Sequence, residues 1–176
     1  MTRLGVYGCG KMGGIIVEGV VKRGIYSESD ILICEAHQGT LDAVKTKFSQ
    51  AACSNGDAQL LSEADYILLC VKPHMVGQVL AGIRERGKAN VVVISIAAGV
   101  GLDYLRQSLG SGQHAIRVMP NTPLQVAAGM SVISAADTVP PQHVEHVERI
   151  FGALGGTMRL WEDLMDAATA LVGSGP

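Results

Sequence analysis

Three observations in the 176-residue sequence predict an α/β fold of the doubly wound class, a mainly parallel sheet with helices on both faces. Short apolar runs alternate with helix-period segments along most of the chain, the pattern of βαβ units joined by right-handed crossovers. One run, Tyr66–Val71, is apolar at nearly every position, as expected of a strand covered on both faces. A first apolar run, Arg3–Tyr7, leads directly into Gly8-Cys9-Gly10-Lys11-Met12-Gly13, and a helical pattern follows at once. Strand, Gly-x-Gly-x-x-Gly, helix is the dinucleotide-binding order of the Rossmann fold. Gly8 allows the tight turn, Gly10 lets the backbone approach a pyrophosphate, and Gly13 lets helix and strand pack closely. The helix N-terminus then faces the anion.

The elements follow in order. Arg3–Tyr7 is read as the first strand. Lys11–Arg23 is a helix with Met12, Ile15, Ile16 and Val20 on one face and Gly24 as its stop. Asp30–Cys34 is the second strand, and Thr40–Phe48 a helix facing inward through Leu41, Val44 and Phe48. Ala51–Ser54 is a short strand, and Asp57 or Ser62 is placed as the cap of a helical turn before Asp65. After Tyr66–Val71, Lys72-Pro73 ends the strand. Met75–Arg86 is a helix, Asn90–Ile96 a central strand, Ala97–Gly101 a small-residue loop and Leu102–Leu109 a helix. Ala115–Met119 is the sixth strand. Beyond it, Gly129–Ser134 alternates as a strand, Pro140–Leu154 is a helix opened by prolines, and Thr157–Leu160 is a last strand. Glu162-Asp163 opens a helical stretch through Leu171.

Composition narrows the function. Hydrophobic residues are 48% and charged residues 17% of the chain, enough to bury a sizeable core. The net charge of −2 leaves no electrostatic footprint for nucleic acid. No apolar run reaches the roughly 18–20 residues that cross a bilayer, and the N-terminus lacks a signal-peptide layout, so a cytoplasmic protein without a membrane partner is expected. Cys9, Cys34, Cys53 and Cys70 have neither Cys-x-x-Cys nor zinc spacing. They are read as buried thiols of a reducing compartment, and no metal site is expected. Three of them stand at strand ends, so an oxidation-sensitive thiol beside a ligand is the minority alternative.

The candidate site lies where strands end. Glu35, just past the second strand, can accept hydrogen bonds from adenosine ribose hydroxyls and would repel a 2′-phosphate. That favours NADH, although His37, Lys45 and Lys47 nearby leave NADPH open. The structural alternative is a solvated loop carboxylate. Val71-Lys72-Pro73 puts Lys72 at the crevice mouth, or simply in solvent. Ala97, Ala98 and Gly99 permit close approach of a flat ring. Met119-Pro120-Asn121-Thr122-Pro123 is a stiff loop presenting two polar side chains, suited to positioning a substrate, or else an ordinary proline turn. His143 and His146 are read as solvated on a surface helix. No histidine is nominated as acid or ligand, and the catalytic residue stays unassigned.

Taken together, Val6–Gly13, Val71–Pro73, Ser95–Val100, Arg117–Pro123 and Val172–Pro176 resemble the pyrroline-5-carboxylate reductase family in order and spacing. The resemblance implies reduction of the C=N bond of 1-pyrroline-5-carboxylate to L-proline with NADPH or NADH, the last step of proline biosynthesis. On the family pattern, Gly8 to Met12 and Val71 to Pro73 would hold the cofactor, and Ala97 to Gly99 would border the nicotinamide. Gly13 is nominated from the glycine spacing itself. Glu35 is a departure from NADP-preferring members that tilts the chain towards NADH. Met119, Pro120, Asn121 and Thr122 would lie on the substrate side. It also implies residues 1–160 as the dinucleotide-binding domain and residues 161–176 as the start of a helical dimerisation domain. A homo-oligomer is expected for the full-length protein, and little activity for this chain alone. The rivals are a β-hydroxyacid or deazaflavin-linked dehydrogenase on the same domain, and a non-catalytic nucleotide-sensing module.

Overall fold

The computed structural model describes residues 2–56 and 58–174. Eight strands among them form one sheet: β1 (Leu4–Tyr7), β2 (Ile31–Cys34), β3 (Ala52–Ser54), β4 (Tyr66–Leu69), β5 (Val92–Ser95), β6 (His114–Pro120), β7 (Gly129–Ala135) and β8 (Gly155–Arg159). Their order is β3-β2-β1-β4-β5-β6-β7-β8. The first six are parallel; β7 runs antiparallel to β6 and β8 parallel to β7. This is the predicted doubly wound, mainly parallel sheet. Its order reverses between β1 and β4, the place where such sheets bind ligands.

Helices α1 (Lys11–Lys22) and α5 (Pro141–Gly152) cover one face, and α3 (Val76–Arg86) and α4 (Leu102–Ser108) the other. Alternating strand residues supply the two layers. Val6, Ile33, Leu68, Ile94 and Ile116 meet Ile16, Val20, Val147, Ile150 and Phe151 on the first face. Leu32, Ile67, Leu69 and Val93 meet Val79, Leu80, Ile83, Leu102 and Leu105 on the second. Each such side chain, fully buried, contributes about 1.5–3 kcal/mol of transfer free energy. A smaller cluster of Met119, Val132, Met165 and Ala168 seats α6 (Met165–Ser174) on the sheet. Among the described residues no helix is long and apolar enough to cross a membrane.

Several boundaries differ from the sequence reading. Helix α2 (Gln38–Lys47) starts two residues early because the His37 ring nitrogen Nδ1 accepts from the Thr40 amide at 3.2 Å, capping it. Strand β4 stops at Leu69, and Pro73–Met75 form a 3-10 turn ahead of α3. Ser62 lies inside a 3-10 turn (Ala58–Glu63) rather than capping it, and Asp57 lies outside the described residues. Gly175 and Pro176 of the terminal motif lie outside them as well.

Candidate functional site

A crevice of about 560 Å³ opens at the C-terminal ends of β1, β2, β4, β5 and β6. Of the residues nominated from sequence, Gly8, Gly10, Met12, Glu35, Val71, Lys72, Pro73, Ala97, Ala98, Met119 and Pro120 line it. Cys9 and Gly99 belong to the same loops, and Lys11 and Gly13 to the first turn of α1, without lining it. Tyr7, Cys34, Ala36, Thr40, Cys70, Met75 and Ile96 also line it. Cys34 and Cys70 are the strand-end thiols of the minority reading, and Ile96 belongs to the small-residue stretch Ser95–Val100. Tyr7, Ala36, Thr40 and Met75 carry no role in the sequence reading, although the rule that ligands sit at strand ends points to their neighbourhood.

The three glycines answer three different constraints. Gly8 has φ +87°, and a Cβ there would stand 2.9 Å from the Cys70 carbonyl oxygen. A Cβ on Gly13 would collide with the Gly8 carbonyl oxygen, so helix and loop pack at glycine distance. A Cβ on Gly10, by contrast, would meet no protein atom within 4 Å. Nothing in the protein demands glycine there, and the space beside it is open to a ligand. Gly10 is also the N-cap of α1, which has no side-chain cap and no acidic residue in its first turn. Such a terminus presents unpaired N–H groups and a partial positive charge to an anion.

Glu35 closes the loop from the other side. One carboxylate oxygen accepts from the Cys9 amide at 2.8 Å and the other from the His37 amide at 2.9 Å. The sequence reading placed this carboxylate free for ribose hydroxyls, but both of its oxygens are engaged with backbone. Each oxygen retains a second lone pair, and the group still lines the crevice. The Gly8 amide donates to the Cys34 carbonyl at 2.8 Å, tying the loop to β2.

The thiols here are held protonated. Burial, reinforced by the Glu35 charge, pushes Cys9 up to about 12, and burial pushes Cys70 up further. That supports the reading as inert buried thiols over the redox one. No disulfide joins the cysteines, and no group of His, Cys, Asp and Glu could hold a metal among the described residues.

At the far end, Ala97 is buried while Ala98 and Gly99 form an exposed tip, with Gly99 at φ +74°. Met119 and Pro120 form the adjoining wall. Asn121 does not present its carbonyl to this space: its side-chain oxygen accepts from the Met130 amide at 2.8 Å, clamping β6 to β7. Thr122 is exposed at the start of a 3-10 turn (Thr122–Val126).

The histidines of α5 correct the sequence reading most sharply. His143 and His146 are half-buried rather than solvated. His143 Nδ1 pairs with the Tyr66 hydroxyl at 2.7 Å, and His146 Nε2 with the Tyr26 hydroxyl at 2.6 Å. The His146 and Tyr66 rings lie 4.4 Å apart, and His114 and His143 5.7 Å apart. Helical periodicity places both on the flank of the buried stripe of Val144, Val147, Ile150 and Phe151. Their hydroxyl partners lie 77 and 120 residues away, beyond the reach of any local pattern.

Comparison with known proteins bears out the resemblance. The family described as NADP oxidoreductase, coenzyme F420-dependent, matches residues 3–99. The pyrroline-5-carboxylate reductase of Methanosarcina acetivorans is 33% identical over 99% of this chain and 64% of its own length. That of Synechocystis is 36% identical over the same shares. The structure of a pyrroline-5-carboxylate reductase from Coxiella burnetii superposes with a TM-score of 0.92 at 30% identity, covering 99% of this chain and 65% of that one. A Plasmodium falciparum pyrroline carboxylate reductase with NADP bound superposes at 0.85 with 27% identity, over 99% and 63%. The chain thus spans just under two thirds of the length of these relatives. With more than half of its residues matched by the family's sequence model, the chain belongs to the family described as NADP oxidoreductase, coenzyme F420-dependent.

Proposed function

We infer that this chain is the dinucleotide-binding part of a pyrroline-5-carboxylate reductase. It would bind NADPH or NADH in the crevice and serve the reduction of 1-pyrroline-5-carboxylate to L-proline. The observation that carries the reading is the pairing of open space at Gly10 with an uncapped, acid-free helix terminus. A pyrophosphate fits that arrangement, and a purely structural turn has no use for it. The relatives' names and the Plasmodium structure with NADP bound support the cofactor and the substrate.

The reduced nicotinamide supplies the hydride for the imine carbon, and the imine nitrogen takes a proton. The residues of this chain orient and shield. Amides at the start of α1 would hold the phosphates, and Glu35 would stand beside the adenosine ribose. Ala97, Ala98, Met119 and Pro120 bound the far end with small or apolar groups, which excludes water from one side. The remaining proposals concern the whole protein. Residues 1–160 form the cofactor domain, and residues 161–176 lead into a helical dimerisation domain. The protein acts in the cytoplasm as a homo-oligomer.

The experiment is a substrate comparison on a chain of the relatives' full length. 1-Pyrroline-5-carboxylate should drive oxidation of NADPH or NADH, whereas hydroxy acids should drive no reduction of NADP+ or NAD+. Turnover of a hydroxy acid alone would assign the chain to a different dehydrogenase.

A further inference from the structure

Beneath the far wall of the crevice lies a charged group that the cofactor reading does not use. Arg117, on β6, is buried, its side chain 6% exposed. Its Nη1 donates to Glu162 Oε1 at 2.6 Å, and its Nη2 lies 3.4 Å from Asp166. The same Glu162 oxygen accepts from the Leu102 amide at 2.9 Å. Leu102 is the first residue of α4, directly after the Ala97–Gly101 loop.

The loop is therefore gripped at both ends. At its entry, the buried Ser95 hydroxyl accepts from the Ala97 amide at 3.3 Å. At its exit, Glu162 holds Leu102. Ser95 and Arg117 are cross-strand partners on β5 and β6, so both grips stand on one row of the sheet. Between them Ala97 and Val100 are buried, and only the tip at Ala98 and Gly99 is exposed. The other wall shares this support. Met165 of α6 packs with Met119, which lines the crevice beside Pro120. One short segment, residues 162–165, thus braces both walls.

Stability alone is a weak reason for the arrangement. Replacing a buried ion pair by apolar side chains is often neutral or favourable. Here Arg117 Nε, Glu162 Oε2 and the neighbouring Ser134 hydroxyl are buried without a hydrogen-bond partner among the described residues. Ser134 is Arg117's partner on β7.

We propose that Glu162 is a positioning residue for the nicotinamide end of the site. By holding Leu102 and Arg117 at once, it fixes the Ala97–Gly101 loop against Met119 and Pro120. It does not act on the glycine-loop end, where the adenosine diphosphate half would sit. The proposal rests on the cofactor reading above.

Its test is a split between whole cofactor and fragment. Wild type and Glu162 variants of this chain are titrated calorimetrically with NADH and with ADP-ribose, which lacks the nicotinamide, and melted in parallel. Glu162→Ala should weaken NADH about ten-fold while ADP-ribose stays within about two-fold. Glu162→Asp keeps the charge and loses the reach, and should behave like the alanine variant. Glu162→Gln keeps the reach and loses the charge, and should bind NADH nearly as wild type. The Asp and Gln pair carries the test if the alanine variant does not fold. Parallel weakening of both ligands, or no weakening of either, would overturn the proposal. A wild-type chain that binds neither ligand would refute the cofactor reading itself, before any variant is examined, and the positioning role with it.

Discussion

The two ends of the sheet handle polar chemistry in opposite ways. At the C-terminal ends of the parallel strands, side chains are removed: three glycines, two alanines and an uncapped helix leave backbone N–H groups and open space. At the N-terminal ends, Tyr26, Tyr66, His114, His143 and His146 crowd together, and four of them pair as two hydrogen bonds within the protein. Buried polar groups occur at both ends. Only those that remain unspent point to a ligand, and a cluster that satisfies itself points to packing.

The comparison can be broken by substitutions that move one end without the other. The largest effect belongs to Gly13→Val. Its Cβ would collide with the Gly8 carbonyl, so chemical denaturation should show a loss of about 1–3 kcal/mol, the range for forced overpacking, together with loss of nucleotide binding. Gly10→Ala should separate the two properties. Its added methyl meets no protein atom, so stability should change by less than about 1 kcal/mol, while calorimetry shows nucleotide affinity down about ten-fold or more.

At the opposite end the expectation inverts. Tyr66→Phe keeps the buried ring and removes the hydroxyl that pairs with His143. Denaturation should show a loss of about 0.5–1.5 kcal/mol, with nucleotide affinity unchanged.

Acid sharpens the same contrast. Burial, then the charge of His114, holds His143 below the ordinary histidine value of 6.5. Burial, then Arg149 and His143, does the same for His146. The unfolded chain therefore takes up protons that the folded chain resists. The stability these neutral rings contribute is fully present above pH 6.5 and is lost as pH falls through that value towards the folded ones. Denaturation curves should show this slope as pH falls below 6.5. A His146→Gln variant should flatten it.

The smallest effect is at Glu35. Glu35→Gln removes a negative charge that lines the crevice and keeps one acceptor for the Cys9 amide. The ratio of NADPH to NADH affinity should shift towards NADPH by about two- to five-fold, read by paired titrations, as expected for one partly solvated charge.

How much of this was legible in the chain depended on range. Glycine spacing, the continuous apolar run of β4 and the proline opening of α5 are local signals, and each placed its element within a few residues. The strand-end rule also gathers Glu35, Lys72, Ala97 and Met119, and they line one crevice. What escaped was partnership over long separations. Glu162 reaches Leu102 and Arg117 across 60 and 45 residues, and no periodicity encodes such a pair. The Asn121 side-chain oxygen is taken by the Met130 amide nine residues on, a pairing no local pattern encodes, because an oxygen facing a strand edge looks, in sequence, like one facing a ligand. Trp161 lines a separate apolar pocket with Ile133, Val139 and Val144 and not the crevice, so calorimetry follows nucleotide binding better than its fluorescence does.

The most direct measurement is a calorimetric titration of this 176-residue chain and of its Gly10→Ala variant with NADPH and NADH. The account predicts micromolar binding of at least one nucleotide by the wild-type chain and its loss or strong weakening in a variant that melts at nearly the same temperature. No binding by the wild-type chain, or equal binding by both proteins, would contradict the assignment of the crevice as a dinucleotide site.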